Sequence, residues 1–284
     1  MNISLTAVAT ALTLYSLPSL ALTQLTDNTY HFYHGHYGSL IVVGEDGVLI
    51  TDPANTKRAE ALKKALAEVT SKPVTHIAYS QVHFDHIGGG EVFKGAKSYM
   101  QESANQVLKY DPLGIAPDTI DITFNDHLNI DLGNVNVELH ALGASDGFAA
   151  SAIYVPSEKV VYSSDLYQDG KITKGKYLPT LNGVGVWAAL NTISEWPLNH
   201  AIDSHSSGTS VKALYDYRDL YNDIYERVLQ KLKDKRKVHK GSLYDYAYYE
   251  LKEEIKLPKY KHWKQYEELS AHIQRMALSM VHAG

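Results

Sequence analysis

The chain has 284 residues, a formal net charge of −5 and no cysteine. Its mild acidity argues against a nucleic-acid binder, which usually carries a basic face. Without thiols there are no disulfides and no thiolate ligands, so a metal would have to be held by His, Asp, Glu or amide donors.

Residues 1–21 contain no charged side chain; residues 3–17 are largely apolar, Pro18 breaks the run, and Ser19 and Ala21 offer small side chains where a signal peptidase reads. We read 1–21 as a secretory signal peptide, which places the protein in a periplasm or outside the cell. An uncleaved anchor is the alternative, but the run falls short of the roughly 20 residues that span a bilayer. No later stretch is long and apolar enough, so no stable membrane span is expected after cleavage. What remains suits one sizeable domain with an extension.

Further along, runs of strand alternate with helices. Strands are expected at 29–33, 39–43 and 48–51, the last two joined by the turn Gly44-Glu45-Asp46-Gly47. Residues 56–69 carry Ala and Leu at helical spacing, closed by Lys72-Pro73. Residues 74–79 read as a buried strand, followed by a helix from about Gly89, a short strand at 98–100 and a helix at 102–110. Residues 135–141 alternate as a half-exposed strand does. Residues 149–155 and 159–163 form a hairpin, 184–196 a helix, and 210–235 a long amphipathic helix capped by Ser210. In 236–284, Tyr244, Tyr246, Tyr248, Tyr249, Tyr260, Trp263 and Tyr266 suggest one or two amphipathic helices docked on the domain. These aromatics read first as packing residues with a wet hydroxyl edge. A homodimer interface and a carbohydrate or aromatic-ligand platform are the alternatives. The basic run 231–240 reads as a solvated helix end, where cations suit the helix dipole.

The chemistry is concentrated in Gln81-Val82-His83-Phe84-Asp85-His86, which sets two imidazoles and a carboxylate within four residues, just after a buried strand. These are donors for a zinc-type ion. Asp165 follows the β-type run 160–164, and His205 follows 201–204. Alone, such an Asp is usually a turn former or helix cap, and such a His an ordinary polar residue. Together they put ligand chemistry at three strand ends, where loops are held by a sheet.

With these residues the sequence resembles the metallo-β-lactamase superfamily, whose mark is His-x-His-x-Asp-His after a strand. Thr51-Asp52-Pro53, Leu142-Gly143-Ala144-Ser145-Asp146-Gly147, Ser164-Asp165-Leu166 and Asp203-Ser204-His205 resemble its other segments, in order. The resemblance implies an α/β (α+β) fold, the four-layer αββα sandwich, over 22–235, with 236–284 as a C-terminal helical extension packed on it. Two positions depart: Gln81 stands where the motif's first histidine belongs, and Ala144 where the Gly-His turn has its histidine. The resemblance therefore implies one ion, held by Asp85, His86 and His205 with bridging Asp165. The other position keeps only His83, the weaker amide donor Gln81 and the shared Asp165, so a second ion is expected to be weak or absent. Zinc is the expected metal, with iron or manganese as alternatives. Asp52 is expected behind the ligands, holding them by hydrogen bonds. His34, His36 and Tyr37 fall in a loop that borders the cleft of the resembled fold and are expected to meet substrate. His36 is also a candidate to fill the gap at Ala144, ahead of His140.

The activity this implies is hydrolysis of a small ester, lactone, amide (including β-lactam) or related bond by water that the metal acidifies from ~15.7 to about 7. Asp85 or Asp165 would orient that water, and His83 would serve as partial ligand or general acid. The partner is a small-molecule substrate and not nucleic acid. The alternative is a degenerate member that binds metal or ligand without turnover, which the loss of imidazole at 81 and 144 motivates. The fold by itself does not name a substrate.

Overall fold

The computed structural model describes residues 21–179, 181–238 and 241–282. The signal reading of 1–21 thus lies outside the described residues, apart from Ala21, which opens the first strand. β1 (Ala21–Gln24), β2 (Thr29–His34), β3 (Tyr37–Val43), β4 (Val48–Thr51), β5 (Val74–Ala78), β6 (Lys97–Gln101) and β7 (Ile122–Phe124) form one seven-stranded sheet in chain order. Pairing is antiparallel from β1 to β4 and parallel from β4 to β7. The second sheet has five strands in the order β12-β11-β10-β9-β8: β8 (His127–Asp131), β9 (Asn136–Ser145), β10 (Gly147–Val155), β11 (Val160–Ser163) and β12 (His200–Ile202). Only β11 and β12 are parallel there. Parallel neighbours end on the same side, so β4 with β5, and β11 with β12, deliver their following loops to one rim.

The sheets pack face to face through Leu40, Val42, Leu49, Tyr99, Leu139, Ile153 and Tyr162. On the outer face of the first sheet, Phe32, Ile41, Ile50 and Ile77 meet Ala59, Leu62 and Ala65 of α1 (Thr56–Leu66). β3 and β4 are therefore covered on both faces, which is why they read as continuous apolar runs and not as alternation. Each fully buried Leu or Ile stabilises the fold by about 1.5–3 kcal/mol.

Local chemistry changes the expected helices. The motif itself forms α2 (Phe84–Ile87), and in place of a helix from Gly89 there is a left-handed residue (Gly89, φ 88) and a 3-10 turn at Gly90–Val92. A Cβ at Gly89 would lie 2.6 Å from the Asn55 carbonyl, so only glycine lets the two loops meet. The expected helix at 102–110 splits into a 3-10 turn and α3 (Asn105–Leu108). Strands β7 and β8 were not expected; they are short and partly polar.

The second sheet's outer face carries α4 (Gly183–Ser194) and α5 (Val211–Lys237). Ser210 precedes α5, but its hydroxyl makes no capping bond. Beyond lie α6 (Leu243–Asp245), a π-turn at Tyr246–Glu250, α7 (Leu251–Glu254) and α8 (Leu269–His282). Trp263, Ile273 and Met276 join the core formed with α4 and α5, and Trp263 stacks on Tyr217 at 5.8 Å. Buried His272 locks α8 to α5: its Nε2–H donates to the Thr173 carbonyl, and its Nδ1 accepts from the Tyr221 hydroxyl, each at 2.8 Å. Both ring nitrogens are satisfied in the neutral form.

Burial lowers the pKa of His272 from 6.5 to about 4. Burial, with Arg58 beside it, does the same to His31. The unfolded chain therefore binds more protons between these values, and stability falls as pH drops from 6.5 toward about 4. The loss should be on the order of 3 kcal/mol per ring. His272→Gln keeps a donor and an acceptor without the titration. Urea unfolding across this pH range should give a shallower acid slope for the variant; an unchanged slope would rule out His272 as a source.

Candidate metal centre

The rim is built around Asp52, at the end of β4. Its buried carboxylate accepts from the Ser80 N–H (2.8 Å) and hydroxyl (2.5 Å), from the Tyr162 hydroxyl (2.8 Å) and from His86 Nδ1 (3.1 Å). β5, β11 and α2 are thereby tied to β4. Arg58 of α1, also buried, reaches the carbonyls of Phe32, His34, Tyr37, Asp52 and Pro53 and the Ser39 hydroxyl. It braces a stretch of backbone that is otherwise awkward: His36, Asp52 and Ala54 have φ of 71°, 36° and 73°, and Asp165 across the rim has 61°. Strained positions of this kind gather at functional sites.

Around this support the ligand atoms of Asp85, His86 and His205 lie within 4.8 Å of one another. An Asp85 oxygen sits 3.6 Å from His86 Nε2 and 3.7 Å from His205 Nε2. Asp165 faces the same two nitrogens at 3.2 and 2.9 Å. These separations suit donors around an ion bound at about 2.0–2.2 Å. The second nitrogens are anchored: His86 Nδ1 donates to Asp52, and His205 Nδ1 donates to the His36 carbonyl at 3.2 Å. Anchoring fixes the tautomer that leaves each Nε2 free as a ligand. The donor set therefore fits a zinc-type ion.

A second group adjoins it. His83 Nδ1 is 3.7 Å from Asp146 and 3.8 Å from Asp165, and these three also bring ligand atoms within 4.8 Å. Asp146 stands only two residues beyond Ala144, and nothing in the sequence alone singles it out. The Gln81 amide nitrogen donates to Asp165 and to the Ser164 hydroxyl, and its amide oxygen is buried without a hydrogen-bond partner. Ser204 adds a further bond to Asp165 at 3.1 Å.

The charges are interdependent. Burial raises the Asp165 carboxyl, but His86, His205 and His83 outweigh it and hold it well below the ordinary range. Burial opposes charge on His83, His86 and His205, yet Asp165, joined by Asp146 at His83, Asp52 at His86 and Asp203 at His205, lifts all three above the usual imidazole value. Burial and the Asp165 charge push Asp146 up to about 7, and burial pushes Asp203 up to about 6. The cluster thus carries an excess of negative potential that holds protons or a divalent ion, and metal uptake will release protons.

The cluster opens into a cavity of about 410 Å³, lined on one side by His36 and Tyr37 and on the other by Lys171, Thr173, Tyr177, Leu178 and Leu181. His36 lines it beside His205, whose Nδ1 donates to the His36 carbonyl. His34 is not among the lining residues: its ring lies against Phe32, and its carbonyl is held by Arg58. His140 is also elsewhere, bonded to Glu138 at 2.8 Å and packed between His127 and Trp196. The far wall of the cavity is held by the C-terminal segment. Ile172 N–H donates to Lys264 O, Lys264 N–H to Gly170 O, and Gly175 N–H to Glu268.

Because Asp52 holds His86 and Ser80 together, Asp52→Ala should weaken metal binding about 10- to 100-fold. Competition with a chromophoric chelator measures this; unaltered affinity would show that the buried carboxylate does not orient the ligands.

Three comparisons bear on this geometry. The family model described as "Metallo-beta-lactamase superfamily" matches residues 35–237. No curated protein matches. Among solved structures, a metallo-beta-lactamase from Pontibacter korlensis superposes with a TM-score of 0.62 at 18% identity, covering 72% of this chain and 99% of its own. One from Erythrobacter litoralis gives 0.59 at 16% identity, covering 73% and 98%. The stereoselective inverting sec-alkylsulfatase Pisa1 from Pseudomonas sp. gives 0.66 at 15% identity, covering 92% of this chain and 50% of the sulfatase. With the two-sheet architecture, the rim of ligands and a family match over most of its length, the chain belongs to the metallo-beta-lactamase superfamily.

Proposed function

We propose that this chain is a secreted, zinc-dependent hydrolase of small ester, lactone, amide or related bonds. The observation that carries the reading is the convergence of Asp85, His86 and His205 on Asp165 at the floor of an open cavity. When bound, a zinc-type ion supplies Lewis acidity and an acidified water at neutral pH. The chain's own residues do the rest. Asp85 is 45% exposed at its side chain and turns toward the cavity, so one of its oxygens is free to orient water and take up its proton. Tyr37 packs its ring 5.1 Å from His205 and walls off that side of the site.

Lys171 is the only Lys or Arg among the described residues that line the cavity, and Tyr177, Leu178 and Leu181 give it an apolar wall. This suits a small substrate with one negative charge beside an apolar group. Sulfate esters are within that class, as the name of the alkylsulfatase neighbour suggests. Secretion is supported by the uncharged, apolar residues 1–21. No described helix is long and apolar enough to cross a membrane. A non-catalytic relative is the second reading, motivated by Gln81 and Ala144. Against it stands the complete donor set around Asp165.

A panel of esters, lactones, β-lactams, sulfate esters and phosphate esters tests the proposal. Turnover on at least one should vanish after chelation and return with zinc. His205→Ala should lower it about 100-fold or more, the scale of a lost ligand-orienting or ligand group. A fully metal-loaded protein inert on the whole panel would sink the enzymatic reading and leave the binding one.

A further inference from the structure

Gln81 and Ala144 deprive the first metal position of two imidazoles, yet the geometry points to its having been rebuilt. We propose that Asp146 replaces the missing imidazole, so that His83, Asp146 and Asp165 hold a second divalent cation. The inference rests on the proposed ion at Asp85, His86 and His205 as its neighbour, because Asp165 serves both.

Four observations carry it. The His83 nitrogen that faces the cluster is Nδ1, and it sees both carboxylates, Asp146 at 3.7 Å and Asp165 at 3.8 Å. Asp146 is only 5% exposed, and among the described residues His83 is its sole cationic neighbour within ion-pair distance. Buried carboxylates are otherwise paired or coordinate metals; Asp165 has His86 and His205 as well, whereas Asp146 faces the Asp165 charge with His83 alone to offset it.

The backbone explains why residue 146 does this and not 144. β9 continues to Ser145, the pairing with β10 shifts register between Gly147 and Ser151, and Gly147 sits at φ 82. Ala144 is left exposed while Asp146 is buried. A Cβ at residue 147 would come 3.1 Å from His83 Nε2, so the glycine both makes the turn and leaves space for the ring. The turn is pinned from outside by Asn182 N–H to Ser145 O at 2.8 Å. Gln81, finally, spends its amide nitrogen on Asp165 and Ser164. It positions the shared carboxylate, and its buried amide oxygen is left without a hydrogen-bond partner.

One imidazole and two carboxylates make a harder donor set than three imidazoles. The rebuilt position should still prefer Zn²⁺ but discriminate less against Mn²⁺ than its histidine-richer neighbour.

The test is a metal count on the whole chain. Protein stripped with chelator is titrated with Zn²⁺ by calorimetry, and bound metal is measured by elemental analysis after desalting; Mn²⁺ is then added to the half-loaded protein. Wild type should take up two equivalents. Asp146→Asn and, independently, His83→Gln should take up one, while Asp146→His should keep two and discriminate more strongly against Mn²⁺. A single equivalent in the wild type overturns this proposal and leaves the hydrolase reading standing. Two equivalents in folded Asp146→Asn, or in His83→Gln if the former does not fold, overturn it equally. No metal in any form would overturn the hydrolase reading as well.

Discussion

A buried carboxylate that must be satisfied from several directions at once organises this molecule. Asp52 lies where the two sheets meet, and its oxygens can be paired only if β4, the loop after β5, the motif helix α2 and β11 all arrive together. Burying such a group unpaired would cost several kcal/mol, more than most single contacts contribute. Tyr162 matters in particular, because its hydroxyl reaches Asp52 from the opposite sheet. The sandwich therefore has a polar clasp at the rim where the ligands emerge, above an otherwise apolar interior. Arg58 answers from the outer layer, holding carbonyls of the same turns that depart from ordinary backbone geometry.

The clasp makes possible an arrangement that would not hold together in a looser loop. Asp146 and Asp203 are buried and Asp165 is partly so, and Asp146 and Asp165 face each other across His83. Such a cluster resists folding when left bare, since the Coulomb repulsion acts in a poorly screened setting. A cation held there would reverse the sign of that contribution and so link metal uptake to fold stability. The strain at Asp52 and Asp165 belongs to the same pattern: the scaffold is overdetermined by its three apolar cores, and the rim spends part of that surplus.

Much of this could be read from the residues. Asp85, His86, Asp165 and His205 stand shortly after apolar runs, and the repetition of that pattern at three strand ends is what singles them out, since any one of them alone reads as an ordinary polar residue. The strands at 48–51 and 160–163 and the long helix from 211 have local signals strong enough to survive tertiary context. Asp146 was not legible, for a definite reason. Which residue of a bulged turn points inward depends on the register shift into β10 and on the left-handed Gly147, neither of which leaves a periodic trace. The direction of the Gln81 amide is likewise decided by Ser164 and Asp165, more than eighty residues away. Tyr162 reads as an ordinary strand aromatic until its hydroxyl meets Asp52. The helix expected after Gly89 failed because close approach to Asn55 outranked local propensity.

The cavity has two walls of different origin. The ligands come from the sandwich, whereas the stretch carrying Lys171, Thr173 and Tyr177 is fastened by Lys264, Glu268 and His272 of the tail. Changes in the last forty or so residues can reshape what enters the cavity while the reactive floor stays as it is. Under the proposed hydrolase reading, selectivity and chemistry would be inherited through separate parts of one polypeptide, and a descendant of this chain could exchange substrates by drifting at its C-terminus alone.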